Sequence, residues 1–285
     1  MILSLHPCFT ADFQIIPGSR GLGHEDISII RKADAIILPQ GCSYEIYLAC
    51  KDRYKNIFPD YYIRFKYPGK TGQIRLFEKM HLPHPKSFIW ESVEEFRKVY
   101  KEGKIYSPEK PFLLKSDYGH EGSGIYLVQD NDSLEIALDR LSLVARSGSG
   151  RFISQEMIPS RGNVLRVVIM GKNLISYWKR PKEKNGLITT VSRGAKIDRD
   201  WRKDLQKKGR DLAGRLSSLS GINLAAVDII FPQEMSDPSP LLLEINYYFG
   251  RRGLGGSLNY YGLLFETIRE WLSEKGLNSD GITMI

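Results

Sequence analysis

The chain has 285 residues, 42% hydrophobic and 26% charged, which is ordinary globular composition and enough length to bury a core in two or three modules. No apolar run is long enough to span a membrane, and Met1–His6 is short and lacks the basic leader of a signal peptide. The cysteines Cys8, Cys42 and Cys50 are odd in number and lack metal-ligand spacing, so a reduced cytoplasmic protein is expected.

Residues 1 to about 65 read as a small α/β unit. Ile2–Leu5 and Ala35–Leu38 are short apolar strands, and Ser43 is the expected N-cap of a helix over Tyr44–Cys50. Gly18-Ser-Arg-Gly-Leu-Gly23 does not open a clean helix after a strand, so it reads as a flexible loop rather than a dinucleotide-binding turn. Tyr67-Pro-Gly-Lys70 breaks the chain. Gln73–Met80 follows as a short helix with Ile74, Phe77 and Met80 on one face, stopped by Leu82-Pro-His-Pro85. Lys86–Trp90 reads as a strand, and Ser92–Tyr100 as a helix opened by a serine cap and acidic residues.

Pro111–Lys115 is an apolar strand that ends on a lysine. It runs through the glycine loop Ser116–Gly124 into a returning strand, Ile125–Val128. Such a hairpin can close over phosphates, because glycines let backbone N–H groups approach the oxygens and the lysine adds charge. It is not a Walker P-loop, since no Lys-Ser/Thr follows and the next element is a strand. His120 lies in this loop and reads as a solvated residue. Asn131–Arg146 reads as an amphipathic helix, Arg151–Ile158 as a strand, and Leu165–Met170 and Leu174–Trp178 as strands about the Gly171-Lys-Asn173 turn. Lys182–Gly186 is a polar loop. Trp201–Leu219 is a helix with Leu205, Leu212 and Leu216 on one side and Gly221 as its C-cap, and Leu263–Leu272 is a closing amphipathic helix.

Between the last two helices lie Leu224–Phe231 and Leu241–Asn246, two aliphatic runs joined by a polar turn, which read as a β-hairpin. Each run contains a carboxylate, Asp228 and Glu244. Side chains alternate along a strand, so Glu244 and Asn246 share a face. If Asp228 faces them, two carboxylates and an amide oxygen converge. Burying carboxylates in an apolar strand is costly unless something compensates. A hard divalent cation such as Mg²⁺, shared with substrate phosphates, would do so. The net charge of +8 suits an acidic partner, but the basic residues are spread along the chain and no nucleic-acid motif is present, which argues against nucleic acid.

Taken in order, these pieces resemble the ATP-grasp superfamily, and within it the branch holding the ribosomal-protein glutamyl ligase and glutathione synthetase. The likeness covers roughly residues 70–272. It implies an α/β (α+β) fold with a pre-ATP-grasp domain at 1–68, a central lobe at 69–155 and a C-terminal lobe bearing the metal site at 156–285. Lys70, ahead of a helix, and Lys115, with Gly119, Gly122, Ser123 and Gly124, match the family's two phosphate lysines and covering loop. Gln155, Glu156, Met157 and Ile158 match the linker whose backbone reads adenine. Arg166 falls on the strand arginine, and Arg180 and Arg193-Gly194 on basic positions near phosphates and substrate, so the resemblance gives these three arginines the catalytic role. Asp228, Glu244 and Asn246 match the metal ligands, and Gly250 the glycine just after them. The implied cofactors are ATP and Mg²⁺, with Mn²⁺ as an alternative ion.

Three positions depart from that pattern. Where the family carries an acidic residue for the ribose stands Val164, with Asn163 beside it as the substitute donor. Ile188 replaces an arginine that reaches the transferred phosphate, with Lys182 or Lys184 as stand-ins. Bulky Tyr247-Tyr-Phe249 follows Asn246 where small residues are usual. The resemblance implies a ligase joining a carboxylate, from an amino acid or acidic peptide, to an amine through an acylphosphate. A kinase on the same fold and a nucleotide-binding module without turnover are the alternatives, and a homo-oligomer is left open.

Overall fold

Short aliphatic runs build three sheets of four or five strands, and a two-stranded pair joins the two ends of the chain, seen in a computed structural model that describes all residues except 19, 52–55, 104, 106–110, 120–123, 147–149, 183–193 and 234–235. The first stretch contains β1 (Ile2–Ser4), β2 (Phe9–Thr10), β3 (Phe13–Gln14), α1 (His24–Lys32), β4 (Ala35–Ile37), α2 (Tyr44–Cys50), β5 (Asn56–Phe58) and α3 (Tyr62–Lys66). Strand β1 pairs in parallel with β3 and β4, and β4 with β5. Every residue of β1 and β4 is buried, as parallel strands covered on both faces require. Ser43 caps α2 by accepting from the Ile46 N–H at 3.3 Å. The glycine-rich stretch corrects its sequence reading, because Gly23 is the N-cap of α1. Asp26 in the first helical turn accepts from the Gly23 N–H at 2.8 Å and binds the Arg20 guanidinium.

The second stretch runs α4 (Gly69–Lys79), β6 (Ser87–Trp90), α5 (Val93–Lys101), β7 (Phe112–Ser116), β8 (Ile125–Val128), α6 (Asn131–Arg146) and β9 (Phe152–Glu156). Its four strands form an antiparallel sheet in the order β6-β9-β7-β8. Val93 and Phe96 of α5 and Leu134, Leu138 and Leu141 of α6 pack on that sheet. Helix α4 starts at Gly69, earlier than its apolar periodicity suggests, so Lys70 lies inside the first turn rather than ahead of the helix.

The third stretch contains β10 (Val164–Met170), β11 (Asn173–Arg180), β12 (Lys196–Asp198), α7 (Lys203–Ser220), β13 (Leu224–Ile230), β14 (Leu241–Asn246), a 3-10 turn at Arg252–Leu254, α8 (Ser257–Glu274) and β15 (Thr283–Met284). The antiparallel sheet order is β12-β11-β10-β13-β14, while β15 pairs with β2. Gly221, at φ +77°, ends α7 in the left-handed conformation a C-cap glycine permits. Alternation divides this sheet. Leu165, Val167, Ile169, Ala225, Val227 and Ile229 pack against α7 and α4. Val168, Met170, Tyr177, Leu224 and Ala226 pack the other way, against Phe9, Phe58 and α8. On this latter face the apolar rows give way to charge at Arg166, Lys179 and Asp228. No described helix is long and apolar enough to cross a membrane.

Candidate nucleotide and metal site

The register of the last hairpin sets the site. Asp228 pairs directly with Glu244, and Ala226 with Asn246, so all three polar side chains share one face. The register then shifts, with Ile229 opposite Leu242, leaving Leu243 as an extra residue. This bulge resets the alternation. It lets Leu242 and Ile245 enter the core while Leu243 and Glu244 line a cleft with Lys70 and Lys115.

Asp228 is buried and saturated with donors. Arg166, its partner on β10, donates from Nε to Oδ1 at 2.8 Å and from Nη2 to Oδ2 at 2.9 Å. Lys179 Nζ donates to Oδ2 at 2.9 Å, and Asn246 Nδ2 lies 3.4 Å from the same oxygen. Burial opposes the charged form of Asp228, but Arg166 and Lys179 outweigh it and hold the carboxyl below the usual range. Burial pulls Lys179 down, against the attraction of Asp228.

Glu244 is more open. Its nearest cation is Lys70, with Nζ 3.8 Å from Oε1. Lys115 is buried and donates to Gln155 Oε1 at 2.5 Å, while Gln155 Nε2 donates to Ser87 Oγ. Burial lowers the Lys115 ammonium from 10.5 to about 8, with Glu244 opposing and Lys70 adding to the shift. A residue that sequence reasoning missed orients Lys70. Asp117 takes the Lys70 N–H on its backbone carbonyl at 3.1 Å and the Thr71 N–H on Oδ1 at 2.9 Å. A carboxylate on the first N–H groups of α4 also satisfies the helix dipole. Arg151 holds the other Asp117 oxygen at 3.2 Å.

The structure brings Lys70, Lys115, Arg166, Asp228, Glu244 and Asn246 together, and adds Lys179. Gly119 joins them through its carbonyl, 3.5 Å from Lys70 Nζ. Gly124, at φ +73°, lies so close to Ser116 Oγ that an added Cβ would stand 2.0 Å away. The side chain of Gln155 holds Lys115, whereas Glu156 binds back to Lys86 through both its backbone N–H and its carboxylate. Met157 and Ile158 follow the end of β9 and are half-buried. Gly122, Ser123 and Arg193 lie outside the described residues, as do His120, Lys184 and Ile188.

Two expected residues sit elsewhere. Strand alternation sends Lys179 to the Asp228 face and Arg180 to the reverse one. There Arg180 pairs with Asp198 at 2.9 Å and lies 4.5 Å over the Trp201 ring. Asn163 is on that reverse side too. It donates to the Ser160 carbonyl and lines a cavity of about 200 Å³ with Trp178, Trp201 and Phe231. The space between Lys70, Lys115, Leu243 and Glu244 is smaller, about 40 Å³, less than a nucleotide occupies. The larger cavity lies behind the sheet from the charged groups, and the charge marks the site better than the volume does.

Hard oxygen donors suit Mg²⁺ or Mn²⁺. Asp228, Glu244 and Asn246 offer them on one face, beside lysines that could hold phosphates, so the donor set fits. Among the described residues no three His, Cys, Asp or Glu side chains converge. A cation bound there would meet two carboxylates and would need further oxygens from its ligands.

Comparison with known proteins gives the family. Residues 69–258 match the RimK-like ATP-grasp domain, and the chain belongs to that family. It is 25% identical over 169 residues to human N-acetylaspartylglutamate synthase A, covering 59% of this chain and 40% of that protein. The chain thus spans about two fifths of the curated relatives it matches. Among solved structures it is similar to a RimK-domain ATP-grasp protein of Sphaerobacter thermophilus, with TM-score 0.58 and 16% identity over 82% of this chain and 80% of that one. The D-Ala:D-Ser ligase VanG of Enterococcus faecalis gives 0.59 and 16% over 84% and 73%. The ATP-grasp ligase PsnB, in complex with a precursor peptide and AMPPNP, gives 0.56 and 14% over 84% and 78%. At such identities these structures establish the ATP-grasp fold.

Proposed function

We propose that the chain is an ATP- and Mg²⁺-dependent ligase joining a carboxylate to an amine through an acylphosphate. The observation that carries this reading is the charge balance of the cleft, where, among the described residues, Lys70, Lys115, Arg166 and Lys179 stand against the carboxylates Asp228 and Glu244. Such a surplus suits a polyanion. Lys70 and Lys115 would hold the phosphates, with Gly119, Gly122, Ser123 and Gly124 over them and adenine against Met157 and Ile158. Asp228, Glu244 and Asn246 would hold the metal, which when bound neutralises charge on the phosphates. Phosphoryl transfer needs positioning and charge neutralisation more than covalent help from the protein. Arg166 anchors Asp228. Arg193 remains the proposed contact to an acceptor carboxylate, a task suited to a planar fork of donors.

The acceptor would be an amino acid or acidic peptide, and the ligases among the relatives support that class. We place residues 1–68, 69–155 and 156–285 as pre-grasp domain, central lobe and C-terminal lobe, each with a sheet of its own, in a cytoplasmic protein. The test is a screen of amino acids and acidic peptides with amines, following ADP, free phosphate and product mass. Phosphate release with a new amide supports the ligase. A phosphorylated hydroxyl product identifies a kinase. ATP binding without turnover across the screen favours the binding module.

A further inference from the structure

Resting on the nucleotide and metal site just proposed, we infer that Lys179 competes with the metal ion for Asp228, so that metal binds tightly only together with the nucleotide phosphates. Both Asp228 oxygens are already engaged. Oδ1 takes Arg166 Nε, and Oδ2 takes Arg166 Nη2 and Lys179 Nζ, with Asn246 Nδ2 at 3.4 Å. A carboxylate oxygen has about two lone-pair positions, so Oδ2 has none left for a cation. A metal shared with Asn246 would approach Oδ2, the oxygen beside that side chain, so one donor must leave Oδ2 before it can enter.

Lys179 is that donor. Arg166 grips Asp228 with two parallel bonds from the neighbouring strand, a geometry costly to break. Lys179 makes a single bond to Asp228 from a flexible stem whose ammonium can turn to another acceptor. The cluster also holds two cations against one buried carboxylate, with Glu244 as a more distant counter-charge. Moving Lys179 off Asp228 with no new anion would strand a buried ammonium, which is unfavourable. A phosphate arriving in the cleft supplies the missing partner. Lys179 is then a positioning residue that makes metal and nucleotide binding mutually dependent. As a purely static ion pair it would leave the two independent.

The experiment titrates Mn²⁺ alone, by electron paramagnetic resonance, with and without a non-hydrolysable ATP analogue. Wild type is compared with Lys179→Met and with Lys179→Gln, which can still donate to Asp228. Both variants keep the Arg166–Asp228 pair, and melting by circular dichroism verifies their fold. Lys179→Met is expected to bind Mn²⁺ alone roughly tenfold more tightly than wild type and to lose most of the gain the nucleotide brings, within the usual range of coupling between two ligands. Lys179→Gln should fall between. A folded Lys179→Met that binds Mn²⁺ no more tightly than wild type overturns the inference. Absence of any nucleotide-dependent gain in wild type instead defeats the underlying site assignment.

Discussion

Asp228 and Glu244 are direct partners across β13 and β14, yet their side chains live in different settings, 7% exposed for Asp228 and 31% for Glu244. Asp228 is a hub for two cations, whereas Glu244 faces the cleft. Substitution should separate the two roles. Asp228→Asn leaves Arg166 and Lys179 buried without their carboxylate and should cost about 3–5 kcal/mol of stability. Glu244→Gln should stay within about 1 kcal/mol of wild type, as near-surface substitutions do, yet lose Mg²⁺-dependent ATP binding. Urea unfolding and calorimetric titration read the two effects. Unchanged Mg·ATP affinity in Glu244→Gln would remove that residue from the metal site.

A close approach elsewhere predicts a sharp contrast between two glycines of one loop. Gly253 packs on the buried Tyr177 ring so tightly that an added Cβ would stand 1.9 to 2.4 Å from its atoms. Arg199 fixes that approach, donating to the Gly253 carbonyl at 3.0 and 3.3 Å. Tyr177 is the cross-strand partner of Arg166. Gly253→Ala should therefore cost about 1–3 kcal/mol, as overpacking does, and weaken nucleotide binding through a displaced Tyr177. Gly250 has nothing within 4 Å of such a Cβ, so Gly250→Ala should lie within about 0.5 kcal/mol of wild type. Equal melting temperatures for the two variants would contradict the packing.

The α/β fold was legible because its strands are nearly pure aliphatic runs and its longer helices carry clear apolar faces. The placement of Asp228 opposite Glu244 was legible because a carboxylate inside an aliphatic strand stands out, and alternation then put Asn246 beside Glu244. The choice between Lys179 and Arg180 was not. It depends on strand register, and a one-residue slip exchanges the faces. The larger, more chemically suggestive arginine fell on the α7 side, with Asp198 and Trp201. Asn163 missed the charged face for the same reason of parity. Asp117 was hidden because its role, capping α4 from a distant loop, is a tertiary contact. Its signal was slight, an acid two residues after Lys115 at the start of the glycine loop. Helix α1 was overlooked because its apolar residues are few and mixed with charge, leaving Gly23 and the first-turn acids Glu25 and Asp26 as its start signals.

His6 should make the fold acid-sensitive. It is buried against Phe9, and its Nδ1 accepts from the Cys8 N–H at 3.1 Å. Burial and the Arg251 charge lower its pKa from 6.5 to about 4. The unfolded chain therefore takes up a proton here before the folded one. This contribution to stability is full above pH 6.5 and is lost as pH falls toward about 4, with a slope of up to about 1.4 kcal/mol per pH unit. His6→Asn can keep the acceptor without a titrating ring. Chemical denaturation from pH 7 down to pH 4 should show a shallower loss in that variant, and parallel curves would show that His6 is not the sensor.

Lys115 predicts opposite pH trends for stability and for binding. Its ammonium is lowered to about 8 in the folded chain against 10.5 when unfolded. Between those values the unfolded chain holds a proton that the folded one has released, so the Lys115 contribution to stability rises with pH across the window. Nucleotide affinity should run the other way. Above about pH 8 the free site loses the charge that would meet a phosphate, and ATP must bring a proton back when it binds. Calorimetry in two buffers of different ionisation enthalpy, between pH 7 and 9.5, should record proton uptake that grows with pH and an affinity that falls. Lys115→Met should bind weakly, with little pH dependence over the same range, while adenosine affinity changes far less. A wild-type ATP affinity that stays level from pH 7 to 9.5 would mean that the Lys115 ammonium does not meet the phosphates.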